Sequence, residues 1–178
     1  DINPLTLLSE DLIVDSLSFW INQGIDMFRF DLAVALMDNS TGGYAIYEKT
    51  GGLLEHLKEK LEEKGHKIIL PDECKDGVNL IAEPWMCAGA NNYQLGNFPE
   101  YFAEWNDIAR DTIRRISTSP YSVNPLNIRH IIEGTPYKFN NNQRSINFIS
   151  CHDGFTLFDL NTNESPSPAT KGGNRWEI

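Results

Sequence analysis

Three carboxylates close short apolar runs: Asp31 after FRF, Glu83 after LIA and Asp153 after NFISCH. One acid at the end of a strand means little, because a strand must end in something polar. Three in succession form a pattern. Strands of a parallel sheet all point the same way, so their C-terminal ends, and the acids on them, gather on one rim, where a (β/α)-barrel carries its active site. Two carboxyl groups on such a rim suit glycosidic cleavage with retention, which needs an ionised nucleophile and a protonated acid about 5–5.5 Å apart. Arg29 lies two residues before Asp31 and so on the same face of its strand. A cation there favours the ionised carboxylate that attack requires. Glu83 is followed by Pro84 and Trp85, and an apolar, aromatic setting raises a carboxyl pKa, as a general acid requires.

The elements that must hold these acids alternate. Ser9 to Gln23 reads as a helix, with Ser9 as N-cap, Ile13, Leu17, Trp20 and Ile21 inward, and Gly24 ending it. Ile25 to Asp31 is a short strand. Leu53 to Lys64 is a second helix, with Leu53, Leu54, Leu57 and Leu61 inward and a solvated Glu/Lys face; Val78 to Glu83 is a second strand. Pro84 to Pro99, rich in Gly, Asn and aromatic residues, reads as a long loop. Then follow a brief strand at Phe102 to Asn106, a helix at Asp107 to Ile116, one or two helical turns at Leu126 to Ile132, a polar loop at Lys138 to Arg144 and a strand at Ile146 to Ser150. The segment from Asn161 onward is polar and loop-like. Strands alternating with helices imply an α/β fold with a parallel sheet.

The net charge of −10 argues against nucleic acid or an anionic membrane as partner, since both are polyanions. No apolar run reaches the ~20 residues that span a bilayer. The acidic start DINPLTLLSE does not read as a signal peptide, so a cytoplasmic location is expected, or a plastid one in a photosynthetic source. Cys74, Cys87 and Cys151 are too few for a disulfide scaffold and read as inert thiols. The four histidines lack metal-ligand spacing and there is no phosphate-binding glycine loop, so no metal and no cofactor are expected. Trp85, Tyr93, Phe98 and Trp105 are open to two readings, core or a platform for the apolar faces of sugars; Trp85 and Tyr93 are the better platform candidates.

Four blocks carry a resemblance: GIDMFRFDLA, LIAEPW, NYQLGNFPEYFAEWNDIARDTIRRI and INFISCHDGFTLFDL. In this order they resemble the isoamylase and glycogen-debranching branch of the α-amylase superfamily. The resemblance implies that residues 1–178 are part of a catalytic (β/α)8 TIM barrel, roughly strands four to seven, with the remainder of the barrel elsewhere in a longer chain. It implies hydrolysis of α-1,6 branch linkages in glycogen- or starch-like glucans. Asp31 would be the nucleophile, Glu83 the general acid/base, and Asp153, beside His152, the holder of the distorted sugar; Arg29 would position Asp31. Four departures stand out. The third-strand block that binds sugar has no match. Met27 replaces a glycine and would intrude into the barrel interior or crowd Arg29. Residues 65–77 form a longer connection, and the segment after Leu160 is altered. A non-catalytic glucan-binding or regulatory relative is the alternative they leave open.

Overall fold

The computed structural model describes residues 4–37, 52–71, 73, 76–86 and 92–152. Asp153, Cys74, Cys87 and the segment from Asn161 lie outside the described residues. The chain forms two compact units, Asp1–Glu104 and Trp105–Ile178.

The first unit contains α1 (Pro4–Asn22), β1 (Met27–Phe30), a 3₁₀ turn (Ala33–Met37), α2 (Gly52–Glu63), β2 (Asn79–Ala82) and most of β3 (Phe102–Asn106). The strands are parallel: Met27 to Phe30 of β1 pair with Asn79 to Ala82 of β2, and Leu80 to Ala82 pair with Phe102 to Glu104 of β3. This is the α/β, parallel-sheet architecture that the alternation implied. The core joins Phe28 and Phe30 of β1, Leu80 and Ala82 of β2 and Phe102 of β3 to the inward faces of both helices. Leu54, Leu57 and Leu61 of α2 are fully buried, each contributing about 1.5–3 kcal/mol by leaving water.

Helix α1 begins at Pro4, so Ser9 lies inside it and is not its N-cap. Proline serves at a first helical position because its fixed φ suits the helix and the N–H it lacks has no partner there anyway. The leucines after it are good helix formers. Trp20, expected inward, is 51% exposed. The buried line of α1 runs through Glu10, Val14 and Ser18. Six residues beyond Val14, at about 100° per residue, Trp20 has turned off that line; it stacks edge-on with Phe19 instead. Gly24 has the left-handed φ of +93° expected of a glycine that ends a helix.

The second unit holds the end of β3, α3 (Asp107–Thr118), a 3₁₀ turn (Pro120–Ser122), α4 (Pro125–Ile132), another (Asn142–Arg144) and β4 (Ser145–Asn147). Asn106, fully buried, organises it. Its Oδ1 accepts from the Ala109 N–H (3.1 Å), capping α3, while its Nδ2 donates to Thr135 Oγ1 (2.7 Å) and Ser145 Oγ (2.9 Å). Strand β4 stops at Asn147, short of the expected Ser150. Arg114 Nε donates to the Ile149 carbonyl (2.7 Å), giving that carbonyl a side-chain partner in place of a ladder partner.

Candidate active-site carboxylates

Side chains alternate along β1: Phe28 and Phe30 enter the core, and Arg29 and Asp31 fall on the opposite face. On β2, Leu80 and Ala82 enter the core, so Ile81 and Glu83 share the face of Arg29, whose register partner is Ile81. The ladder continues past the strand ends. The Glu83 N–H donates to the Phe30 carbonyl (3.1 Å) and the Ala33 N–H to the Glu83 carbonyl (3.0 Å). Parallel pairing thus brings Asp31 and Glu83, 52 positions apart in sequence, side by side.

Arg29 joins them. Its Nη1 lies 2.8 Å from Asp31 Oδ1 and its Nη2 2.9 Å from Glu83 Oε2. The Leu32 N–H donates to the same Glu83 oxygen at 2.8 Å. The two carboxyl groups sit in different surroundings: the Asp31 side chain is 64% exposed and that of Glu83 is 3% exposed. Burial is the main cause that pushes the Glu83 pKa above the ordinary carboxylate range. The neighbouring Asp31 raises it further, by hydrogen bonding to the protonated form and by its charge. The Leu32 N–H and the Arg29 charge pull the other way without cancelling the rise. The arrangement pairs an exposed carboxylate, held by a guanidinium, with a buried carboxyl that keeps its proton to higher pH. Two carboxyl groups in such unlike surroundings are able to take different parts in acid–base chemistry.

Trp85 and Tyr93 meet in an isolated antiparallel bridge just beyond Glu83. It is flanked by the Gln94 N–H donating to the Pro84 carbonyl (2.7 Å) and the Met86 N–H to the Asn92 carbonyl (3.1 Å). Bridged residues project on one side of their ribbon; Trp85 is half-buried and Tyr93 exposed. Met27 is 55% exposed. Phe98 is a core residue of the first unit. In the second unit His152 is exposed, with its ring 6.1 Å from that of Trp105, which also stacks on Phe148 at 5.0 Å. Among the described residues no group of His, Cys, Asp and Glu is arranged to hold a metal ion.

Two residues of this region escaped the sequence reading. Leu32 takes a left-handed φ of +45°, which its residue type does not announce. Glu104 is fully buried and accepts from the Gly96 N–H at 2.6 Å, tying down the loop that follows Glu83. Its place beside Phe102 on the inward side of β3 was a visible signal of burial.

No protein-family model matches the chain. It is 36% identical over 162 residues to an isoamylase of a Flavobacterium species, covering 86% of this chain and 20% of that enzyme. It is 33% identical over 175 residues to a glycogen debranching enzyme of Cronobacter sakazakii, covering 94% of this chain and 24% of that enzyme. The chain is thus similar to part of isoamylases and of glycogen debranching enzymes. A glycogen operon protein GlgX homologue of Haemophilus influenzae is 36% identical over 154 residues, covering 83% of this chain and 20% of that protein. The structure matches a pullulanase of Anoxybacillus sp. LM18-11, solved with maltotetraose, at a TM-score of 0.57 and 20% identity, over 86% of this chain and 21% of that one. At that identity the match speaks for the fold alone. The chain spans about a fifth of the length of the curated relatives it matches.

Proposed function

We propose that this chain is the central part of the catalytic barrel of an enzyme that hydrolyses α-1,6 branch linkages in glycogen- or starch-like glucans, with retention of configuration. Arg29 held between an exposed Asp31 and a buried Glu83 of raised pKa is the observation that carries the reading. Asp31 attacks the anomeric carbon while Glu83 delivers its proton to the departing glycosidic oxygen, leaving a covalent glycosyl-enzyme. Glu83, now a carboxylate, takes a proton from the water that releases the sugar. Arg29 positions Asp31. Asp153 and His152 bind the hydroxyls of the distorted sugar, and Trp85 and Tyr93 offer rings to its apolar face. The remainder of the barrel lies elsewhere in the full-length protein, which works in the cytoplasm, or in a plastid if the source is photosynthetic.

The test is reducing-end release from branched glucan by the full-length protein and its Asp31→Asn and Glu83→Gln variants. Both variants are expected to lose nearly all turnover. Near-normal turnover in either removes the assignment. Glucan binding by the unmodified protein without any release would favour a non-catalytic relative.

A further inference from the structure

Leu32 follows Asp31 directly and has a φ of +45°, in a region that non-glycine residues seldom enter. A leucine gains nothing there from its own side chain, which cannot hydrogen-bond locally as asparagine can. The side chain does not account for the conformation by burial either, being 37% exposed. The turn does achieve one contact. It aims the Leu32 N–H at Glu83 Oε2 (2.8 Å), while the next N–H, that of Ala33, continues to the Glu83 carbonyl (3.0 Å). One reversal of the backbone therefore grips both the side chain and the main chain of Glu83.

The grip is selective between the two carboxyl oxygens. The Leu32 N–H and the Arg29 guanidinium both lie against Oε2. A donor and a positive charge at one oxygen disfavour a proton there, so the proton of the neutral acid resides on Oε1. Among the described residues of the first unit, the charged groups acting on Glu83 are Arg29 and Asp31, both on the β1 side. The 3₁₀ turn Ala33–Met37, AVALM, brings no charge.

We infer that Leu32 is a positioning residue for Glu83: its left-handed backbone presents an N–H that orients the carboxyl group and leaves Oε1 to carry the transferable proton. The inference rests on the general-acid role of Glu83 proposed above. Backbone strain held at a functional site is a known use of such conformations.

The test is a series at position 32 in the full-length protein, hydrolysing branched glucan. Leu32→Gly and Leu32→Asn accept a positive φ; Leu32→Val and Leu32→Ile resist it. The glycine and asparagine variants should stay within about twofold of the parent kcat. The valine and isoleucine variants should fall about tenfold in kcat with little change in KM, as positioning of the acid is lost. Their alkaline pH limb should also move upward, because the lost N–H had favoured the ionised form of Glu83. Activity that follows side-chain size, with Val and Ile near the parent and Gly and Asn low, overturns the inference. So does a uniform response across the series, or loss in Val and Ile with no movement of the limb. Should Val and Ile fail to fold, loss of more than tenfold in Gly and Asn still overturns it, and retention in both supports it. An unmodified protein that releases no reducing ends overturns the parent reading and this inference with it. An active parent whose variants do not sort overturns this inference alone.

Discussion

Replacing Arg29 by methionine removes the cation between Asp31 and Glu83 while keeping much of its apolar stem. Among the described residues it breaks a pair to each, and the two differ in weight. Asp31 is 64% exposed, and ion pairs to exposed carboxylates contribute at most about 1 kcal/mol. Glu83 is 3% exposed, and breaking a buried pair from one side costs about 3–5 kcal/mol. Arg29 itself is 26% exposed, so the lower end, ~3 kcal/mol, is the expected size. That cost is felt only when Glu83 is ionised. Its folded pKa is already raised by burial, and Arg29 is one of the groups holding it down, so the variant's lies higher still. An acid with a raised folded pKa binds more protons folded than unfolded, and stability falls as pH rises through the interval between the two. The variant has the wider interval. The difference between the two proteins is therefore small at low pH, opens as pH passes the Glu83 of the unmodified protein, and saturates beyond that of the variant. Melting curves of both full-length proteins, from about pH 5 to about pH 9, should show this, with a deficit of about 5 °C at the alkaline end for a barrel-sized unit. A deficit independent of pH, or one that grows toward acid, refutes the reasoning.

Two further outcomes follow from other parts of the fold. Lys60 of α2 lies 3.2 Å from the buried Glu10 of α1 and 2.8 Å from Asp11, so Lys60→Met should lower stability by about 1–3 kcal/mol, read from denaturant midpoints. Chiefly through its hydrogen bond to Asp11, the Lys60 pKa is raised, so this contribution is present at neutral pH and lost as pH rises through the lysine range. Residues 1–178 expressed alone should neither hydrolyse glucan nor melt cooperatively. Among the described residues β1 pairs only with β2, and Phe19, Trp20 and Ile25, which precede it in the chain, are exposed; a cooperative melt with hydrolysis would show the chain to be self-sufficient.

Much of this was readable in the residues, for reasons that differ from element to element. Leu53, Leu54, Leu57 and Leu61 mark one face at helical spacing, and α2 follows within a residue of the expected bounds. Each expected strand is present because its apolar residues alternate or run continuously between turn residues. The pairing of Arg29 with Asp31 followed from their shared face. The second contact of Arg29, to Glu83, did not, because it depends on which strands are neighbours and in what register. The start of α1 is harder to read, since Ser9 resembles a cap wherever it stands, whereas Pro4 acts only through its position. Leu32 was illegible for a deeper reason. No leucine prefers a positive φ, so the conformation is imposed by the strand before it and the carboxyl group beside it.

The register itself explains why the site needs the core. A slip of one residue between β1 and β2 would turn Ile81 and Glu83 to the other face of the sheet. Glu83 would then meet Phe30 and Phe102, whose rings lie 5.6 Å apart in the apolar layer, and Leu80 and Ala82 would lose their places against α1 and α2. A charged group moved into such a layer without a partner is far more costly than any gain from repairing the ladder. The apolar faces of Phe28, Phe30, Leu80, Ala82 and Phe102 thus fix the alignment Phe30↔Ala82, and that alignment places Asp31 opposite Glu83 within reach of one guanidinium. The exposure of one acid and the burial of the other come from the same source. Asp31 leaves the strand just as the chain turns, at a left-handed Leu32, while Glu83 is still paired to Phe30 and followed by the buried Pro84. Hydrophobic packing on one side of the sheet therefore sets the chemical asymmetry on the other.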